Sequence, residues 1–164
     1  MINCEQLREL IIKPALDDLQ LYSDNAIELL LFTIAAESDG GTYLKQIKGS
    51  ALGIYQIEPA TYMDMWQRYL RSRGDIIMKL SMNFQVTTIP SADRLVYDLR
   101  YATAMARLIY LRIKEPLPDA KDIDGLWKYY KEHYNTPLGK ATRSKAVRKY
   151  HLFVGSTSKE NQKD

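Results

Sequence analysis

The longest apolar stretch of the chain covers residues 26–36 and is interrupted only by Glu28 and Thr33. Leu29, Leu30, Leu31, Phe32 and Ile34 leave almost no polar face, which predicts a helix buried nearly all round. Ser23 is placed to cap its start and Gly40-Gly41 to end it. Elsewhere the pattern is one-sided. Leu7, Leu10, Ile11, Leu16 and Leu19 predict an amphipathic helix over 3–21, with a break or kink at Pro14. Pro59 suits the first turn of a helix that continues through Tyr62, Trp66, Tyr69 and Leu70 to Gly74. Leu95, Leu99, Ala102, Ala106, Ile109 and Ile113 form a stripe that predicts the longest helix, capped by Ser91 and ended by Glu115-Pro116-Leu117-Pro118. Ile123, Leu126, Trp127, Tyr130 and Tyr134 share one face of a helix that starts near Asp122 and ends at Asn135. Residues 40–57 are punctuated by Gly40, Gly41, Gly49 and Gly53, which predicts irregular structure with little strand. Residues 74–92 predict only a short helix near 76–80 and an extended piece over 86–90.

This pattern singles out Glu37. It stands at the C-terminal end of the apolar helix, where burial and the negative end of the helix dipole both disfavour a carboxylate. Both raise its pKa toward the range of a proton donor near neutral pH. The alternative is a solvated glutamate at a frayed helix end.

The flanking residues narrow the choice. Glu37-Ser38 is followed by Ala51, Gly53, Ile54, Gln56, Ile57, Pro59, Ala60 and Thr61. Tyr97-Asp98-Leu99-Arg100-Tyr101-Ala102 and His133-Tyr134-Asn135 come later, in order. Together these resemble the soluble-lytic-transglycosylase domain of the lysozyme-like superfamily, in its short phage-borne form, over residues 24–140. The resemblance implies a mainly α, lysozyme-like α+β fold. A helical bundle would surround a central buried helix, and a small irregular or β-hairpin lobe would complete a glycan cleft. It implies cleavage of the MurNAc-β-1,4-GlcNAc bond of peptidoglycan, with Glu37 as acid and then base.

Ser38, Gly53, Tyr55, Gln56, Tyr134 and Asn135 then become the substrate-binding candidates. Gly53 would allow close backbone approach to the sugar or to the Glu37 helix, unless it is an ordinary turn glycine. Tyr55 offers either a stacking face or core packing. The amide of Gln56 suits a sugar hydroxyl, an N-acetyl group or the Glu37 carboxyl itself. The Tyr134 hydroxyl would reach the acid or the bound sugar. Trp66 reads as core, with a sugar platform as the alternative. One departure stands out: Thr136-Pro137 replaces the small-Gly pair that follows Asn in the family. The family's loop serine also has no clear match, since Ser50 is out of register.

Between Glu37 and Gln56 the only other acid is Asp39. That favours a one-carboxylate mechanism giving 1,6-anhydro products. Glu58 and Asp64 stay open as partners for a hydrolytic muramidase. A non-catalytic glycan-binding or virion structural module is the alternative from another class.

Composition adds limits. At 164 residues with 46% apolar content, the chain reads as one domain over 1–154 with a polar, disordered tail over 155–164. Cys4 is the single cysteine, so no intrachain disulfide forms, which suits a reducing cytoplasm. No secretory signal and no membrane-spanning run are read. The expectation is synthesis in a host cytoplasm and action in the periplasm or cell wall, from a virion or at lysis. Expected partners are peptidoglycan glycan strands and other virion proteins, with the chain itself a monomer. The net charge of +3 calls for no specific nucleic acid and suits an anionic polymer. Lys140, Arg143, Lys145, Arg148 and Lys149 concentrate that charge in a run with no acid among them, which reads either as a grip on anionic glycan, phosphate or a partner or as a solvated face. No metal and no cofactor are expected. His133, His151 and Cys4 do not make a usual zinc set, and neither a phosphate loop nor a nucleophile elbow is present.

Overall fold

The computed structural model describes residues 1–156. It is mainly helical, with an irregular lobe between the helix that ends at Ser38 and the helix that starts at Pro59. The chain opens with α1 (Cys4–Leu7), a π-helical stretch (Arg8–Ile12) and α2 (Lys13–Asp18), which follow one another without a gap. The side chain of Asn3 caps the start by accepting from the Gln6 amide at 3.0 Å. Pro14 falls in the first turn of α2, directly after the π stretch. The wider π turn absorbs the missing proline N–H, so a change of helical register stands where a break or kink was expected. The same change turns Leu10 outward to 65% exposure, although the α-helical stripe placed it in the core.

The central helix α3 (Asp24–Ser38) is the apolar run. Ser23 Oγ accepts from the Ala26 amide at 3.0 Å, a cap worth about 1 kcal/mol. Residues from Ala26 to Ala35 are buried, apart from Glu28. Glu28 pairs with Arg8 and accepts a hydrogen bond from Tyr150 at 2.8 Å. Asp39 ends the helix in the left-handed conformation. Gly40 follows at φ +65°, and a Cβ there would stand 2.6 Å from Met1 and Phe153 side-chain atoms. The end of α3 is thus gripped by the N-terminus and by the last helix.

Residues 42–58 form the lobe. Isolated antiparallel bridges, Lys45 with Leu52 and Leu52 with Ile57, hold it together. Among the described residues there is no sheet, so the lobe takes the irregular form of the expectation and not the hairpin. Then come α4 (Pro59–Asp64), a π stretch (Met65–Tyr69), a short 3₁₀ turn (Leu70–Ser72), and α5 (Gly74–Phe84).

The predicted long helix is two: α6 (Arg94–Tyr97) and α7 (Leu99–Leu111). Asp98 causes the division. Its backbone is extended, its Oδ1 caps the Tyr101 amide at 2.9 Å, and its carboxylate pairs with Arg94. Next, α8 (Ile123–Tyr130) runs directly into a π stretch (Lys131–Asn135), and α9 (Arg143–Gly155) closes the described chain. The expected domain limit near 154 falls in the last turn of α9. The expected tail lies, from residue 157 on, outside the described residues.

Helices α7, α8 and α9 all pack on α3. Buried hydroxyls satisfy one another in the core, as buried polar groups must. Tyr62 and Tyr101 hydroxyls meet at 2.8 Å, and Thr33 and Tyr110 at 2.8 Å. No described helix is long and apolar enough to cross a membrane.

Candidate active site

Glu37 occupies the last turn of α3, and its half-buried side chain faces a cleft of about 520 Å³. The lobe lines this cleft with Gln46, Ala51, Gln56 and Glu58. The α8 end contributes Tyr130, Tyr134 and Asn135, and α9 with its preceding loop contributes Lys140, Thr142, Lys145 and Lys149.

Tyr130 donates its phenolic hydrogen to Glu37 Oε1 at 2.6 Å. Burial and the facing carboxyl push the Tyr130 phenol far upward, so it remains a donor. For Glu37, burial raises the pKa above the ordinary carboxyl range. Hydrogen bonds from Tyr130 and Asn135 and the charge of Lys149 pull against it, while the charge of Glu58 adds to the rise. Burial prevails, so the group is held toward its protonated form, as its place at the end of a core helix suggested.

The π stretch explains how Asn135 comes to share this site. At 100° per residue, Asn135 would stand about 140° around the helix from Tyr130. The i→i+5 spacing of a π turn brings it back toward the Tyr130 face. Lys131 Nζ fixes the Asn135 side chain at 2.8 Å and the Gly139 carbonyl at 2.6 Å. Thr136 follows at φ +71°, ψ +154°, a region suited to glycine that costs a β-branched residue about 1–3 kcal/mol.

The other candidates divide. Gln56 lines the cleft in a left-handed conformation. Both its backbone N–H and its Nε2 bond the Gly53 carbonyl, at 3.0 and 2.8 Å. Tyr134 lines the cleft too, but its hydroxyl donates to the Tyr55 carbonyl at 2.8 Å and not to Glu37. Tyr134 therefore ties α8 to the lobe, and Tyr130, one turn earlier on the same face, takes the expected contact with the acid. Ser38 is fully buried. Its Oγ donates to Ile54 O at 2.6 Å and accepts from Gly41 N at 3.0 Å, clasping the lobe to α3.

Tyr55 is fully buried, with its hydroxyl 3.0 Å from Thr103 Oγ1, so its ring offers no stacking face. Trp66 is buried as well, and its Nε1 donates to Tyr101 at 3.2 Å. Gly53 does make a close approach, but to α6: a Cβ there would stand 2.1 Å from the Leu95 carbonyl oxygen.

Of the open carboxylates, Glu58 lines the cleft and accepts from Ser50 Oγ. Asp64 does not line it, and pairs with Arg68 at 3.1 Å. His133 lies 3.2 Å from Glu115 and 3.9 Å from Glu132, off the cleft.

Tyr130 has no role in the motif reading, and the three cleft lysines have only the general one of gripping an anionic glycan, phosphate or partner. A signal for Tyr130 existed, since it precedes Tyr134 by four residues on a helix. Nothing local in the sequence points Lys145 and Lys149 at Glu37. Comparison of the chain with protein-family models, with curated proteins and with solved structures returned no match.

Proposed function

We propose that this chain cleaves the glycan strands of peptidoglycan as a lytic transglycosylase, with Glu37 as its single acid and base. The observation that carries the reading is the Glu37 carboxyl itself. It is kept toward the protonated form by burial, bonded to Tyr130, and opens on a cleft shared with Gln56 and Asn135. The polymer is suggested by the resemblance of the Glu37-Ser38, Gly53–Thr61 and Tyr134-Asn135 motifs.

In this mechanism Glu37 donates its proton to the leaving glycosidic oxygen as the anomeric C–O bond breaks. The substrate's own 6-hydroxyl oxygen then bonds to the anomeric carbon and returns its proton to Glu37. The products are a 1,6-anhydro end and a free 4-hydroxyl. Gln56 and Asn135 supply amides for sugar hydroxyls or N-acetyl groups.

One observation favours a second reading. Glu58 is an exposed carboxylate in the same cleft, placed to activate a water molecule for hydrolysis. Mass spectrometry of fragments released from purified peptidoglycan separates the possibilities. Anhydro ends support the transglycosylase, reducing ends support hydrolysis through Glu58, and no fragments at all overturn both.

A further inference from the structure

Lys131 stands behind the cleft and does not line it. It is half-buried and forms no ion pair among the described residues. Its Nζ donates instead to two neutral oxygens, Asn135 Oδ1 at 2.8 Å and the Gly139 carbonyl at 2.6 Å. Asn135 therefore lies between this ammonium and the acid. An ammonium only donates, so the end of the amide that faces it is the oxygen. Gly139 packs on that same oxygen, since a Cβ there would stand 2.2 Å from Asn135 Oδ1. The NH2 end is left for the cleft, where Asn135 bonds Glu37 and Tyr130.

We propose that Lys131 is a positioning residue for Glu37, holding the Asn135 amide with its NH2 toward the acid. The inference rests on the reading of Glu37 as the acid. An asparagine free to turn offers its neighbour a donor or an acceptor. A donor stabilises the carboxylate that forms when the proton leaves, and an acceptor stabilises the acid that keeps it. Lys131 removes the second choice from outside the cleft.

The groups that face Glu37 are Tyr130 and Tyr134, Tyr110 from α7, Lys149 from α9 and Glu58 from the lobe. Burial pushes all three phenols upward, so they stay neutral. Lys149 and Glu58 act on the carboxyl by charge, with opposite signs. Lys131 reaches it through the amide, so its effect must vanish when the amide is removed.

The test titrates the Glu37 carboxyl by ¹³C NMR in the full chain, with Glu37→Gln to assign the resonance. Lys131→Met should raise the Glu37 pKa by about one pH unit, and the alkaline limb of kcat/KM on peptidoglycan should move up with it. Lys128→Met removes an exposed charge from α8 and should move neither. In an Asn135→Ala background the pKa should already be raised, and Lys131→Met should add nothing. The unaltered chain gives a measurement that no variant's folding can spoil: the Asn135 amide hydrogens should show NOEs to the Tyr130 ring. The inference is overturned if those NOEs are absent, if Lys131→Met leaves the pKa in place, or if it shifts the pKa equally with and without the Asn135 amide. An equal shift from Lys128→Met overturns it too. Failure of the unaltered chain to release glycan fragments sinks the proposed function alone, because the titration and the NOEs judge Lys131 without turnover.

Discussion

The Tyr130 hydroxyl and Glu37 Oε1 lie 2.6 Å apart, joined across 93 positions of sequence by the packing of α8 on α3. This hydrogen bond stabilises the ionised form of Glu37 against the burial that opposes it. Tyr130→Phe should therefore raise the Glu37 pKa further. The alkaline limb of the pH profile of kcat/KM should move to higher pH. The loss of one hydrogen bond on the reacting group should also lower kcat about tenfold. A limb that stays in place, or moves to lower pH, would show that this contact does not tune the acid.

Glu37 also links stability to pH. Its native pKa is raised, so the folded state binds the proton more tightly than the unfolded state. Its contribution is fully present below the ordinary carboxyl pKa and is lost as pH rises through the native value. Glu37→Gln removes that slope. The variant should match the wild type in thermal stability near pH 4 and exceed it at pH 7 and above. Melting curves across this range would refute the burial argument if the wild type were the more stable protein at high pH.

Gly53 is required by space and by backbone. At φ +75°, with a Cβ position 2.1 Å from the Leu95 carbonyl oxygen, alanine must push the lobe away from α6. Gly53→Ala should cost about 3 kcal/mol in urea unfolding. It should also lower activity, because Gln56 is bonded to Gly53 through two donors. A cost near zero would mean that the lobe does not sit as close as described.

Tyr55 and Gln56 are adjacent in sequence and opposite in role. Tyr55→Phe should cost about 1 kcal/mol of stability for the lost Thr103 contact and leave KM unchanged. Gln56→Ala should lower kcat/KM at least tenfold in a folded protein. Equal effects on KM from the two variants would contradict the placement of the Tyr55 ring in the core.

These contrasts show what sequence reasoning reaches. The α3 helix was legible because an apolar run with a serine before it and two glycines after it has few other solutions. Glu37 followed from its position at the end of that run, and Gln56 from the resemblance carried by the residues that flank it. The pairing of Tyr130 with Glu37 was not reached, because it depends on which turn of α8 meets α3. The apolar stripe ran through the division of α6 from α7, because its period does not register that the Asp98 side chain both caps and pairs; the resemblance alone reads a helix start over 97–102. The π stretches at Arg8–Ile12 and Lys131–Asn135 changed which residues face inward, and no apolar period announces them. The lysines of α9 read equally as a grip on an anionic partner or as a solvated face, because the sequence does not say that this helix lies along the cleft.

Turnover of purified peptidoglycan by Glu37→Gln, with folding verified by its melting curve, tests the central claim most directly. Glutamine keeps the shape and an acceptor for Tyr130 but has no acidic proton to give. The account predicts a folded protein whose release of glycan fragments falls at least about a hundredfold, the scale of a lost general acid. Fragment release at the wild-type rate would contradict it.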